Sequence, residues 1–310
     1  MPELTVVIPF LNEREQVDLT LRSIRETVEG GVDVILVNDG SEPDYDYQAV
    51  ADRWGARLIV HPVRLGVDLA RQTGVTEAVT QFVFAVDAHI EFYTHDWHRR
   101  LVQTLTEHPK AIVAPAVQGL RQDRTPVRGY ELWGAIPTLS ALEPDRFLNL
   151  KAFRWGSRKD YQTGAPTIGG FGARRDWWLD LHAADGLWLW GASASECSFS
   201  IRSIMAGGEV ILAGDVVMGC VLRDAAHRPY STAAVEILRN KLFVLQTLFH
   251  PARVKIELDR LAGLPEFAEA AALIRADELE WARGRVARSR SFDDVERYFD
   301  SVYQNLMFRL

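Results

Sequence analysis

The chain is poor in cysteine and in long apolar runs and has no excess of positive charge, and each shortage narrows what it can be. Cys197 and Cys220 are its only cysteines, too few for a disulfide framework and in keeping with a reducing compartment. No apolar run approaches the ~20 residues that span a bilayer, so no membrane association is expected. Met1-Pro2-Glu3-Leu4 enters an apolar strand at once, without the basic segment and long apolar region of a signal peptide. A cytoplasmic protein is the expectation. The formal charge of -7 argues against a surface coated in basic residues, while leaving room for a local basic groove. Internal repeats and low-complexity linkers are absent too. What is present is 310 residues, 47% hydrophobic and 25% charged, enough for a sizeable core in one large α/β domain with an appendage or in two intimate domains.

The organising stretch is Gln81-Phe82-Val83-Phe84-Ala85-Val86-Asp87-Ala88-His89. Phe82 to Val86 reads as a central strand covered on both faces, as in a parallel sheet. Such sheets bind ligands just past the carboxyl ends of their strands, where Asp87 and His89 stand. If the chain stays extended there, residues i and i+2 point the same way. The carboxylate and imidazole would then converge on one divalent cation, manganese or magnesium by the hardness of their oxygen and nitrogen donors. Upstream, the strand Thr5 to Phe10, a helix with Val17, Leu21, Ile24 and Val28 on one face, and the strand Asp33 to Asn38 form a βαβ unit. Its right-handed crossover sets Glu13 and Asp39 on one rim. A helix around Val50 and Trp54, the strand Arg57 to Val60, a loop with Arg64 and Gly66, and a helix through Ala70, Gly74 and Ala78 continue the alternation of a doubly wound sheet.

After a helix from Trp97 to about Glu107 and a strand from Ala111 to Val117, the texture changes. From Gly119 to about Thr163 the chain is rich in Arg, Pro, Gly and Trp and reads as long surface loops. A helix with Cys197, Ile201 and Ile204 on one face is expected to stop at Gly207-Gly208, before a strand from Val216 to Leu222. The last 80 residues read as helical: Val235, Leu238, Leu242, Leu245 and Phe249 keep spacings of three and four, with further helical segments at Phe267 to Leu279 and Phe292 to Leu306.

Six short stretches, in order, carry a family pattern: Val6-Val7-Ile8-Pro9-Phe10-Leu11-Asn12-Glu13, Val37-Asn38-Asp39-Gly40-Ser41, Arg64-Leu65-Gly66 leading to Arg71, Val86-Asp87-Ala88-His89, Pro166-Thr167-Ile168-Gly169-Gly170, and Trp190-Gly191 through Glu196-Cys197-Ser198-Phe199. The chain resembles the nucleotide-sugar glycosyltransferases of the GT-A fold, family 2 and the related polypeptide N-acetylgalactosaminyltransferases. The resemblance implies an α/β fold with a Rossmann-like, mostly parallel central sheet and flanking helices, plus a helical C-terminal extension. It divides the chain into a GT-A domain over 1–230, with a nucleotide-binding half over 1–118 and an acceptor half over 119–230, and an extension over 231–310. It further implies a metal-dependent transfer of sugar from a nucleotide sugar, taken to be a UDP-sugar, to a hydroxyl. Asp39 would take the base, Arg64 would help hold the nucleotide, and the main chain near Pro9 and Glu13 would line the same cleft. Asp87 and His89 would hold manganese or magnesium on the diphosphate, and Glu196 and Arg223 would face sugar or acceptor.

Two positions depart from that pattern. The third metal ligand of the peptide-acting branch opens a His-x-x-Arg stretch, which here is Cys220-Val221-Leu222-Arg223. Thiolate is a soft ligand for manganese, so the third ligand is open between Cys220 and His227. Where inverting relatives carry a Glu-Asp pair whose Asp is the base, this chain has Ser193 and Ala194, and only Glu196 follows. That leans toward retention of configuration. The acceptor stays open among a Ser or Thr of a peptide, a glycan or small molecule, and a hydroxymethylated pyrimidine in DNA. A degenerate module that binds a nucleotide sugar without transfer is the alternative of another class. The oligomeric state is left open.

Several of these residues have plainer readings. Asn38-Asp39-Gly40-Ser41 is a favoured turn, and Glu196 could serve only a helix N-terminus capped by Ser193 or Ser195. His95 and His98 read as exposed residues opening a helix, without the Cys or Glu that would close a tetrahedral set. Trp188 and Trp190 suit a core or a stacking face beside the acceptor. Arg283, Arg285, Arg288 and Arg290 read first as a solvated surface. With Arg121, Arg124, Arg128, Arg154, Arg158 and Lys159 they could instead border a groove for a polyanion.

Overall fold

Side chains alternate across each strand, and here both faces of the sheet are covered. The computed structural model describes residues 2–154, 156, 159–187 and 194–309. Its elements run β1 (Leu4–Phe10), α1 (Glu15–Thr27), β2 (Val32–Asn38), α2 (Tyr47–Trp54), β3 (Arg57–Val60), α3 (Val67–Glu77), β4 (Phe82–Val86), β5 (Ile90–Phe92), α4 (Trp97–Glu107) and β6 (Ala111–Leu120). Then come β7 (Pro126–Leu132), β8 (Ala135–Pro137), β9 (Leu150–Ala152), β10 (Tyr161–Gln162), β11 (Gly170–Arg174), α5 (Arg175–Leu181), α6 (Ala194–Met205) and β12 (Glu209–Val221). Five helices close the chain: α7 (Ala234–Leu248), α8 (Pro251–Leu261), α9 (Phe267–Ala272), α10 (Ala276–Gly284) and α11 (Phe292–Arg309).

The main sheet has the order β10-β12-β6-β11-β4-β1-β2-β3, with β5 paired to β12 and β7 to β6. Strands β3, β2, β1 and β4 run parallel. β11 lies antiparallel between β4 and β6, and β12 runs parallel to β6. Val6, Ile8, Leu36 and Phe84 face the cluster that holds Trp97 and Leu101 of α4. Their neighbours Val7, Ile35, Val37 and Val83 face a cluster that reaches Leu242, Leu245, Val295 and Phe299 of the closing helices. α3 lies tight on β1: a Cβ on Gly74 would come within 2.3 Å of Val7 Cγ1. β1 has β2 on one side and β4 on the other, so successive crossovers diverge there. That is the switch point at which open α/β sheets bind ligands.

The register of β12 slips once. Ala213 pairs with Pro115, yet Val217 pairs with the next residue, Ala116. Three extra residues are looped out on β12, and Arg100 Nε donates to Asp215 Oδ2 across that bulge at 2.7 Å. Beyond it, Cys220 pairs with Gly119 of β6 and Ile90 of β5.

Five expectations need correction. The stretch from Gly119 to Thr163 is not only loop: it holds β7, which pairs with β6, and β8 and β9, which pair with each other. The expected strand from Val216 to Leu222 is the far half of a longer strand beginning at Glu209. Asp87-Ala88-His89 is not extended: β4 ends at Val86 and the chain turns before β5. His98 is 6% exposed and sits against Trp97 rather than opening to solvent. In the tail, α8 adds a helix, and the segment expected at Phe267 to Leu279 breaks into α9 and α10. Among the described residues no helix is long and apolar enough to cross a membrane.

Candidate functional site

A cavity of about 580 Å³ opens at the carboxyl ends of β1, β2 and β4, closed on its far side by the end of β12 and the chain after it. Pro9, Glu13, Asp39, Arg64, Asp87, His89, Glu196, Cys220 and Arg223 all line it. His227 does not; it is exposed, with Nδ1 2.6 Å from Asp224 Oδ1. Trp188, Trp190, Gly191, Ser193 and Arg158 lie outside the described residues.

The floor is built by turns between the parallel strands. After β1, Asn12 and Arg14 adopt positive φ, which folds the chain back toward β2. Asn12 N–H donates to Ser41 Oγ and its Oδ1 accepts from Glu42 N–H, both at 2.8 Å. At the end of β2 the Asp39 carboxylate accepts from the Leu65 and Gly66 amides at 2.9 and 2.8 Å, and His61 Nδ1 lies 2.9 Å from it. Gly40 has φ +79, and a Cβ there would stand 2.7 Å from Arg64 N. The Asn-Asp-Gly-Ser turn is thus both a turn and a brace for the loop that carries Arg64. From that loop, Arg64 donates to Ser231 O at 3.1 Å and lies over the Tyr230 ring.

Asp87, His89 and Cys220 place a carboxylate oxygen, a ring nitrogen and the sulfur within 4.8 Å of one another. The turn after β4 brings the first two together, and the pairing of β5 with β12 delivers the third. Burial alone would lower the His89 imidazole. The nearby Cys220 and Glu13 outweigh it and lift it to about 10. This corner therefore favours positive charge. His89 Nδ1 is buried without a hydrogen-bond partner among the described residues, 3.5 Å from Glu13 Oε1. Glu13 is clamped from behind by Arg223, two bonds of 2.7 Å in a fork. Burial pushes the Glu13 carboxyl up, but His89 and Arg223 hold it down at about 2. A donor set of O, N and S, backed by a carboxylate on the imidazole, fits a divalent cation.

A second group of residues reaches the cavity from α3. The Arg71 guanidinium is 5% exposed and lies against the Phe171 ring. It donates to Asp87 Oδ1 at 3.1 Å and Ser195 Oγ at 3.2 Å, with Asp68 and Glu196 oxygens at 3.6 and 3.7 Å. Ser195 is thus tied to Arg71. Asp68, 2% exposed, has no hydrogen bond to either oxygen among the described residues. Burial pushes its carboxyl up to about 6, with Arg71 pulling the other way and Glu196 adding to the rise. Neither the role of Arg71 nor the presence of Asp68 follows from the sequence motifs. The signal available was an acid and a base three apart on a helix face shared with Ala70 and Gly74, a buried i,i+3 pair.

The tail arginines stand elsewhere. Arg283 donates to Gln246 O, Arg285 pairs with Asp185, and Arg290 donates to Gly208 O. Gly208 precedes β12, and Arg223 follows its end. The ten residues of β6 that pair alongside span roughly 30 Å. Arg290 and the cavity are therefore at opposite ends of the strand and do not border one groove.

Comparison with known proteins fits this architecture. Over 231 residues, 68% of this chain, it is 26% identical to N-acetylgalactosaminyltransferase 4 of Drosophila melanogaster. Over 130 residues, 42% of the chain, it is 30% identical to the pre-mycofactocin glycosyltransferase of Mycobacterium tuberculosis. The chain spans only 34% and 26% of the lengths of these relatives. Among solved structures, that of GalNAc-T7 with UDP, GalNAc and Mn2+ superposes with a TM-score of 0.72 at 17% identity, over 99% of this chain and 57% of the other. The family model for glycosyl transferase family 2 matches residues 5–176. With more than half its length matched and the GT-A sheet in place, the chain belongs to glycosyl transferase family 2.

Proposed function

We propose that the chain moves a sugar from a nucleotide sugar, a UDP-sugar, to an acceptor hydroxyl. The observation that carries this reading is the convergence of Asp39, Arg64, Asp87, His89 and Arg223 on one cavity at the switch point of the sheet. Asp39 is held with its carboxylate braced by two amides, ready to meet the base, and Arg64 flanks the nucleotide. Asp87, His89 and Cys220 would hold a divalent cation, which when bound neutralises the charge that develops on the departing diphosphate. Arg223 fixes Glu13, whose carboxylate stands behind the His89 ring. Arg71 orients Asp87 through a bond to its Oδ1. On the acceptor side Glu196 lines the cavity beside Arg71. Ala194 offers no base at the position an inverting relative would use, which favours retention. UDP bound by GalNAc-T7, together with Mn2+, supports the nucleotide and the cation.

The test is UDP release from a panel of UDP-sugars, with divalent cation or chelator, in the presence of a Ser/Thr peptide mixture or duplex DNA containing hydroxymethylcytosine. Cation-dependent release with a sugar-sized mass gain on one acceptor is expected. Asp87→Ala should abolish transfer and leave the circular dichroism spectrum intact, and unchanged transfer by that variant would overturn the metal assignment. Binding of UDP-sugar with no release under any condition would replace the enzyme with a binding module.

A further inference from the structure

The third donor of the cation site is a sulfur, and it is as well placed as the other two. Cys220 is 3% exposed, lines the cavity, and lies in the same 4.8 Å group as Asp87 and His89. The place of its main chain is set by backbone pairing on both sides, to Gly119 and to Ile90, so the sulfur can leave the group only by rotation about χ1, not by a shift of the strand. Gly169, at φ +96, faces it: a Cβ there would lie 3.6 Å from Cys220 Cβ. Cys197, the other cysteine, is remote in role, its sulfur directed at Leu148 O inside the core. Among the described residues no further group of three metal-capable side chains occurs.

We infer that Asp87, His89 and Cys220 form a thiolate-bearing site selective for a borderline cation of the zinc and cobalt class over magnesium and manganese. This rests on the cation-binding reading above. One sulfur, one imidazole nitrogen and one carboxylate oxygen make a three-ligand set with a position left toward the cavity, which is how zinc sites that bind a substrate are arranged. Magnesium demands octahedral oxygen donors and keeps its waters, so a buried sulfur is a poor exchange for it. Manganese stands lowest in the divalent affinity order and gains least from thiolate, whereas cobalt and zinc gain more. Glu13 Oε1 stands 3.5 Å behind His89 Nδ1, on the outer face where a carboxylate raises the basicity of a ligating imidazole.

The experiment is metal binding to the purified, metal-stripped chain, followed without turnover. Co2+ is titrated in and the near-ultraviolet absorption read for sulfur-to-cobalt charge transfer; Zn2+, Mn2+ and Mg2+ then compete. A charge-transfer band at one Co2+ per chain is expected, displaced by Zn2+ but not by equal Mn2+ or Mg2+. Cys220→Ser should remove the band and weaken Zn2+ by at least the roughly 10- to 100-fold that loss of a mere outer-shell partner costs, with Mn2+ affinity changed by less than about threefold. Cys220→His, which keeps a ligand, should still bind Co2+ without the band. An unchanged melting curve checks the fold of both variants. Co2+ bound without a band, Zn2+ equally tight in Cys220→Ser, or no cation bound at all overturns the inference. UDP-sugar binding and UDP release are measured separately, so either reading can fail alone.

Discussion

Asp68 offers a prediction whose size follows from its surroundings. It is buried beneath Arg71 with no hydrogen bond to either carboxylate oxygen among the described residues, and desolvation raises it from 3.8 to about 6. Because the folded pKa is the higher one, the folded chain binds more protons between those two values. The group then costs nothing below pH 3.8 and its full penalty above pH 6. At 1.36 kcal/mol per unit the penalty is about 3 kcal/mol. Asp68→Asn removes the charge and keeps the shape. An amide without partners has a cost of its own, but a protonated acid shares most of it, so the informative quantity is the change in ΔΔG between pH 4 and pH 8. Urea unfolding of wild type and variant at both pH values should show the variant gaining about 2–3 kcal/mol in relative stability at the higher pH. The same ΔΔG at pH 4 and pH 8 would mean that Asp68 ionises as freely in the fold as in the unfolded chain, and the reasoning would fail.

Other outcomes follow from other contacts. Glu257, fully buried, accepts from Ala141 N–H at 2.7 Å and pairs with Arg253 and Arg260 at 2.8 and 2.9 Å. Both arginines are about a third exposed and can return to water, so Glu257→Ala should cost about 3 kcal/mol, chiefly the orphaned amide and the void. A change below ~1 kcal/mol in urea unfolding would contradict this. Gly40→Ala must hold a positive φ, worth ~1–2 kcal/mol, and must move the Arg64 amide from 2.7 Å. It should lower the melting temperature and weaken UDP binding together, and loss of one without the other would separate the turn from the nucleotide loop.

The strands were legible wherever burial on both faces made them continuous and apolar, as at Phe82 to Val86. Strand β7 was not, because it is an edge partner with Pro126, Gly129 and exposed side chains, a pattern that a loop shares. α8 hides behind Pro251 at its first turn and a narrow apolar face. At the site, Asp39 and Asp87 could be read from their place at strand ends. Cys220 could not be joined to them by any local rule, since the contact depends on how β12 pairs with β5 and β6. The correction at Asp87-Ala88-His89 is of the same kind. Two residues apart suggested an extended pair, while the convergence arises from a turn. That Arg290 stands at the other end of β12 from the cavity could not be read either, because a charge cluster in sequence says nothing about which end of a strand it occupies.

The three looped-out residues of β12 set how far its far end reaches. Paired without interruption, Val217 would stand opposite Gly119, and Cys220 would project beyond the sheet by roughly 10 Å at ~3.3 Å per residue. The slack taken up at Gly214-Asp215-Val216 brings the sulfur level with the turn that bears His89. Insertion length in a strand is thus a coordinate for a side chain at its tip, adjustable in steps of one residue, each step also reversing the face presented. Trimming that bulge would pull Cys220 away from Asp87 and His89 while leaving all three residues in the sequence. Lineages that differ only in the length of this strand would differ in chemistry, and an inventory of site residues would not reveal it.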